Sequence, residues 1–92
     1  MTYVMGQATA PTSATVALFT LPAGLCNCTF WNVTGGTVYI GTSIAVTATN
    51  GLQCHSIPTN FFTYVSTRGA TLYGANVSGT GAAVNYMIVT DQ

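Results

Sequence analysis

The chain has 92 residues, 49% of them hydrophobic, and only two charges, Arg68 and Asp91. That hydrophobic share is normal for a folded domain and argues against disorder, whereas the charge falls far below the roughly 25% of typical domains. One arginine and no lysine cannot neutralise a run of phosphates, so nucleic acid is not expected as a partner, and no apolar run reaches the roughly 18 residues of a membrane-spanning helix.

The length fits one domain. Residues 1–13 (MTYVMGQATAPTS) are small and polar with one proline, and read as an extended N-terminal arm ahead of a single β domain over residues 14–92. Residues 1–10 lack the basic start and long apolar stretch of a secretory leader, so synthesis and assembly in a cytoplasm are expected. Ala14–Leu21 is β-branched and aromatic and stops at Pro22. Residues 28–34 (CTFWNVT) form a second strand, and Gly35-Gly36 before residues 37–40 (TVYI) predicts a hairpin. Residues 44–49 (IAVTAT) alternate most clearly, with Ile44, Val46 and Ala48 on one face, and Asn50-Gly51 closes that strand with a turn.

Residues 52–60 read as irregular, with Pro58. Residues 61–67 (FFTYVST) are strand-like, Arg68-Gly69 is a turn, and residues 71–77 (TLYGANV) follow. Residues 78–81 (SGTG) turn into the last strand, residues 84–90 (VNYMIVT). Seven or eight short antiparallel strands, punctuated every 8–12 residues or so, predict an all-β fold: a small β-sandwich or jelly-roll-like barrel. No stretch has helical periodicity.

Few residues suit chemistry. Cys26, Cys28 and Cys54 are an odd number, and the single-residue gap of the first pair is short for a zinc site, so free, buried thiols are expected. A disulfide from Cys54 to one of the others is the alternative if the protein leaves the cell. His55 is the only candidate base, no acid lies near it in sequence, and Cys54 beside it points the opposite way on a strand. No enzyme activity, metal or cofactor is expected. The sequons at Asn27, Asn32 and Asn76 are what chance supplies in a chain rich in Thr and Asn. Asp91 reads as a solubilising tail residue.

A surface of Thr, Ser, Asn, Gly and Ala has little repulsion to keep copies apart, so much of it is expected to be covered by other proteins. Tyr and Trp are common interface anchors, and residues 61–67 carry aromatics on both faces, so some of these are expected to be exposed. The candidate interface residues are Tyr3, Val4 and Met5 in the arm, Tyr64 and Tyr73 on strands, and Arg68, which reads first as a solvated turn residue and alternatively as an anchor for a partner's carboxylate.

The run Val38-Tyr39-Ile40-Gly41, the stretch Val46-Thr47-Ala48-Thr49-Asn50-Gly51-Leu52, then Leu72-Tyr73-Gly74-Ala75 and the terminal strand over residues 83–89 resemble small virion proteins of tailed phages. The similarity is to capsid decoration (cement) proteins and head-fibre domains, notably of phages of actinobacterial hosts, over about residues 33–90. Cys54-His55-Ser56-Ile57-Pro58 departs from it, where a plainer Pro/Gly stretch is expected. The resemblance implies a homo-oligomer, a trimer above all, bound to the major capsid protein on the outside of a phage head, with the arm adding as a strand to the shell. A tail or fibre domain binding a host receptor or glycan is the first alternative. A secreted, non-enzymatic adhesion or lectin-like module is the second.

Overall fold

The computed structural model describes residues 2–56, 61–66, 68–76 and 80–90. They hold eight strands: β1 (Thr2–Ala10), β2 (Ala14–Leu21), β3 (Cys26–Thr34), β4 (Val38–Gly41), β5 (Leu52–Cys54), β6 (Phe61–Ser66), β7 (Ala70–Asn76) and β8 (Ala82–Thr90). Two four-stranded sheets form, in the orders β1-β8-β3-β6 and β2-β7-β4-β5, and every pairing is antiparallel. The predicted all-β sandwich is therefore what the chain adopts.

The pairs β1–β8, β2–β7, β3–β6 and β4–β5 are those of one long hairpin wound over itself. Laid into two sheets, that winding is the connectivity of a jelly roll. It makes β4–β5 the one sequential pair of strands that stays in a sheet; each other connection crosses between sheets. Gly35-Gly36 therefore joins no hairpin, because β3 and β4 lie in opposite sheets. The turn itself is real. Gly35 has φ of 93°, and a Cβ there would sit 1.9 Å from the Gly81 carbonyl oxygen. Only glycine allows that conformation and that approach together. Gly24 and Gly69 also take positive φ at crossovers.

The inner faces of the sheets make the core. Across the first sheet, one row runs Gly6, Tyr86, Phe30, Phe62 from strand to strand. Phe19 of β2 stacks on Tyr86 at 4.3 Å and meets Phe30 at 6.1 Å, while Phe30 stacks on Phe62 at 5.7 Å. Leu21, Val38, Ile40, Leu72, Val84, Ile88 and the three cysteines fill the remaining space. A register shift between Ala17 and Phe19 accommodates Leu18 as an extra residue in β2. Leu18 lies over Gly74, where a Cβ would approach its Cδ1 to 2.8 Å.

Two buried asparagines tie the sheets at one end. Asn32 Nδ2 donates to the Gly36 carbonyl at 2.6 Å and the Cys54 carbonyl at 3.1 Å. Asn76 Nδ2 donates to the carbonyls of Ala10 at 2.9 Å and Thr80 at 2.8 Å. Crossovers leave backbone carbonyls without ladder partners, and these amides satisfy them.

Three further expectations are corrected. Residues 1–13 are not an arm apart from the β domain, since Thr2–Ala10 pairs with β8 residue for residue without a shift. Small polar composition hid this, because pairing needs only backbone groups and Ala10 supplies a fully buried contact. Residues 44–49 are not a strand. Val46 N–H donates to the Ser43 carbonyl and Gly51 N–H to that of Thr47, each at 3.0 Å. Ser43 Oγ, Asn50 Oδ1 and Thr47 Oγ1 accept from the N–H groups of Ala45, Thr47 and Thr49 at 3.1, 2.7 and 3.2 Å. These short side chains compete for the backbone and win over a ladder. Val46 is buried against Gly41 and Gly51, while Ile44 is exposed. Finally, residues 52–60 are not irregular throughout, since they begin with β5. Pro58 and Asp91 lie outside the described residues.

Removing residues 2–10 should abolish cooperative unfolding, because it strips β8 of a full partner and leaves Asn76 without the Ala10 carbonyl. Phe30→Ala should cost about 3–5 kcal/mol, much of the stability of so small a domain. Urea melts followed by far-ultraviolet circular dichroism measure both; a sharp wild-type-like transition in the deletion would contradict the integral role of β1.

Candidate interaction surface

The two sheets present different outer faces. Because side chains alternate along a strand, the register that points Gly6, Tyr86, Phe30 and Phe62 inward points their neighbours outward. Three outward rows of the first sheet follow: Gln7, Asn85, Trp31, Phe61; Met5, Met87, Thr29, Thr63; and Tyr3, Val89, Asn27, Val65. Met5 is 71% exposed, Phe61 66%, Tyr3 63% and Val65 57%, while Trp31, Met87 and Val89 are half-buried among their own neighbours. Trp31 and Phe61 stand 5.4 Å apart, and Gln7 donates to Asn85 Oδ1 at 2.8 Å. None of the four strands carries a charge.

The outer face of the second sheet is Thr, Ala, Tyr and Gln. Thr20 and Thr71 share a hydrogen bond at 3.1 Å, and Gln53 donates to the Tyr39 hydroxyl at 3.2 Å. The turn-rich loop before β5 seats Val46 by Gly41 and Gly51 on this side.

The edges differ as well. In the second sheet, β2 carries the shifted register and β5 is three residues long, both common ways of blunting an edge. In the first sheet, β1 and β6 run nine and six residues in unbroken register, with no charge and no proline. Val4, on the inner side of β1, is 47% exposed, so the first half of this edge strand is open on both faces.

The six residues singled out from sequence do not form one surface. Tyr3 and Met5 lie on the apolar face. Val4 points to its other side. Tyr64 is inward and packs against the core, lining a cleft of about 260 Å³ with Phe30, Ile40, Thr42, Asn50 and Leu72. Tyr73 is half-buried on the opposite sheet, and Arg68 is exposed in the β6–β7 crossover. Phe61 and Val65 complete the apolar face, with Trp31, Met87 and Val89. The signal for the last two is a final strand apolar at consecutive positions, which a sheet with one solvent-facing side does not need.

The chemistry-bearing residues are spread apart. Cys26, Cys28 and Cys54 are free and buried. Burial, with Cys26 alongside, pushes the Cys28 thiol up to about 12, and burial also raises that of Cys54. His55 Nδ1 lies 3.0 Å from Thr37 Oγ1. Among the described residues no three His, Cys, Asp or Glu side chains are grouped to share a metal ion. Asn32 and Asn76 are buried, so of the three sequons only Asn27 offers an exposed side chain. Scans against known protein families, curated proteins and solved structures return no match for this chain.

The folded protein should resist alkylation at neutral pH, and the unreduced, denatured chain should take three labels; one label rising to three on reduction would mean a disulfide. Because the folded state holds the Cys28 proton to about 12 while the unfolded chain releases it near the ordinary value of 9.0, this contribution to stability is intact below that value. It fades as pH climbs from about 9 toward 12. Denaturant midpoints for wild type and Cys28→Ala should accordingly converge toward alkaline pH.

Proposed function

We propose that this protein is a structural, non-enzymatic virion component: a decoration protein that coats the outside of a phage head, binds the major capsid protein and strengthens the shell. The observation that carries a protein-binding role is the uncharged apolar outer face of the β1-β8-β3-β6 sheet, flanked by two unblunted edges. Patches of this kind on small domains mark contact surfaces. The phage setting comes from the sequence resemblance, and an eight-stranded jelly roll is compatible with it, since that architecture recurs in capsid and lectin domains alike.

Reinforcement would work through repetition. A shell offers many equivalent sites, and linked copies turn modest single contacts into durable attachment. With two charges in the chain, that attachment rests on van der Waals and backbone contacts. The structure changes one part of this scheme: residues 2–10 already belong to the protein's own sheet, so they act as an edge rather than as a free strand donated to the shell. Recognition of a host receptor or glycan is the competing reading. The cleft beside Tyr64, with Thr42, Asn50 and Thr63 at its rim, is the place it would use, and Tyr64→Ala would then abolish adhesion.

Heads with and without the protein, compared under heat, provide the test. Undecorated heads should assemble yet release DNA at lower temperature. Equal robustness, or a copy number matching a tail or a single vertex, would reject the reinforcing role in favour of host recognition. Attachment affinity should change less than about tenfold, or roughly 1.4 kcal/mol, between low and high salt, because so little charge is available to screen. A steep loss with salt, cured by Arg68→Gln, would reassign attachment to Arg68 and an acidic patch.

A further inference from the structure

We infer that Asn50 is a self-modification site held in check by its own turn. While the turn over residues 47–51 stands, Asn50 keeps its amide. When the turn opens, the Gly51 nitrogen attacks that amide and residue 50 becomes a carboxylate. The loop joins β4 to β5 in the second sheet, so the site is independent of the virion reading.

The chemistry is open to any asparagine followed by glycine. The Gly51 backbone nitrogen gives up its proton and bonds to Asn50 Cγ, and the Cγ–Nδ2 bond breaks. The amide nitrogen takes up the proton and leaves as ammonia, and a five-membered succinimide remains. Water then opens the ring at either carbonyl. One opening gives an aspartyl residue, the other an isoaspartyl residue whose backbone runs through the side chain. Water is the only reactant. Glycine hinders ring closure least, because it has no Cβ and turns most freely. Of the six asparagines only Asn50 precedes one; the others precede Cys, Val, Phe or Tyr.

Three features of the fold oppose the reaction. The nucleophile is engaged, since Gly51 N–H donates to the Thr47 carbonyl at 3.0 Å and closes a single helical turn. An amide held in such a bond is shielded from base until the bond opens. The electrophile is turned away, since Asn50 Oδ1 accepts from Thr47 N–H at 2.7 Å. Cγ is thereby drawn toward the start of the turn, whereas the Gly51 nitrogen lies at its end. Thr47 Oγ1 accepts from Thr49 N–H at 3.2 Å, which completes a reciprocal cap. Third, Gly51 has no room to swing: a Cβ on it would come within 2.8 Å of Tyr39 Cβ and Val46 Cγ2. The same contacts account for the reactive pair. Residue 51 admits no side chain and residue 50 must offer Thr47 an acceptor. Asn-Gly meets both needs and carries the liability with it.

The check is local. Of residues 42–50 only Val46 is buried, so the turn has few packed contacts to lose and opens without unfolding the sandwich. Conversion then changes the surface. The chain has one base and one acid, so a carboxylate at residue 50 leaves one base against two acids, a net charge of −1. The charge appears where Asn50 lines both the cleft beside Tyr64 and a hollow of about 300 Å³ with Gly41, Ser43 and Val46. The aspartyl product still accepts from Thr47 N–H. The isoaspartyl product lengthens the backbone, takes Gly51 N–H away from Thr47 and unseats Val46.

The test follows the isolated full chain at neutral pH in ammonia-free buffer. Peptide mapping by mass spectrometry locates the lost amide, and isoelectric focusing reads the added charge. In urea-denatured chain Asn50 should lose its amide at least about tenfold faster than in the folded protein, where its bonds must open first. Thr47→Ala, which removes the cap hydroxyl, should speed the folded reaction about fivefold and leave the denatured rate unchanged. Protection of Gly51 N–H from hydrogen exchange should match the denatured-to-folded ratio of amide loss within about threefold, because one opening exposes both. Equal rates in folded and denatured chain, a folded Thr47→Ala variant as slow as wild type, or another asparagine converting first in the folded protein would each overturn the inference. Should Thr47→Ala not fold, the exchange comparison on wild type decides in its place, and a ratio of amide loss unrelated to Gly51 protection overturns it. Head stability, which tests the virion role, enters none of these readouts.

Discussion

Everything about this sheet follows from one inner row, Gly6, Tyr86, Phe30 and Phe62, which crosses all four of its strands. Phe19 of the opposing sheet closes on that row by stacking on Tyr86. At Gly6 the fit admits no side chain, since a Cβ would lie 2.5 Å from the Tyr86 hydroxyl. With aromatic rings interdigitated on one side and a glycine required under one of them, no strand can slip by a residue without turning its core residues to solvent. The outer face is therefore a consequence of the inner one: once Tyr86 and Phe30 point in, Met87, Val89, Trp31 and Phe61 point out.

This register explains how so neutral a chain carries an organised surface. Most small domains rely on charge to stay apart and on charged edge residues to stop strands adding to one another. This chain has neither resource, and the second sheet uses backbone devices instead: the irregular β2, the short β5 and a loop that seats Val46 by Gly41 and Gly51. The first sheet uses none of them. This contrast between two sheets of one molecule is the observation on which the proposed contact surface rests.

The polar residues inside serve the winding. Every crossover of a jelly roll interrupts backbone pairing, and Asn32 and Asn76 reach the carbonyls that result. Asn32 Oδ1 stays buried without a partner of its own, a cost of about 1–3 kcal/mol that the two bonds of its Nδ2 offset. The cysteines belong to the same interior. Cys26 and Cys28 lie buried on one face of β3 as their spacing implies, and burial holds the Cys28 thiol in its protonated, unreactive form.

Composition and local pattern determined the fold class, because short β-branched runs between Gly, Pro and Asn turns have few other ways to bury themselves. They also determined that aromatics would remain outside, since residues 61–65 place Phe, Tyr and Val on both faces of one strand. They failed at residues 44–49, where alternation imitated a strand and Ser, Thr and Asn hydroxyls and amides took the backbone bonds. They failed again at residues 2–10, where Tyr3, Val4 and Met5 are consecutive and residues 6–10 are small or polar, so no apolar alternation reveals the strand. Tertiary structure alone decided which strands are neighbours, and so which residues share a face. Met5, Met87 and Thr29 are far apart in sequence and meet only because β8 lies between β1 and β3. Local preference acts over a few residues, whereas a wound hairpin sets its pairings through long-range packing of two inner faces, which no short window of sequence contains.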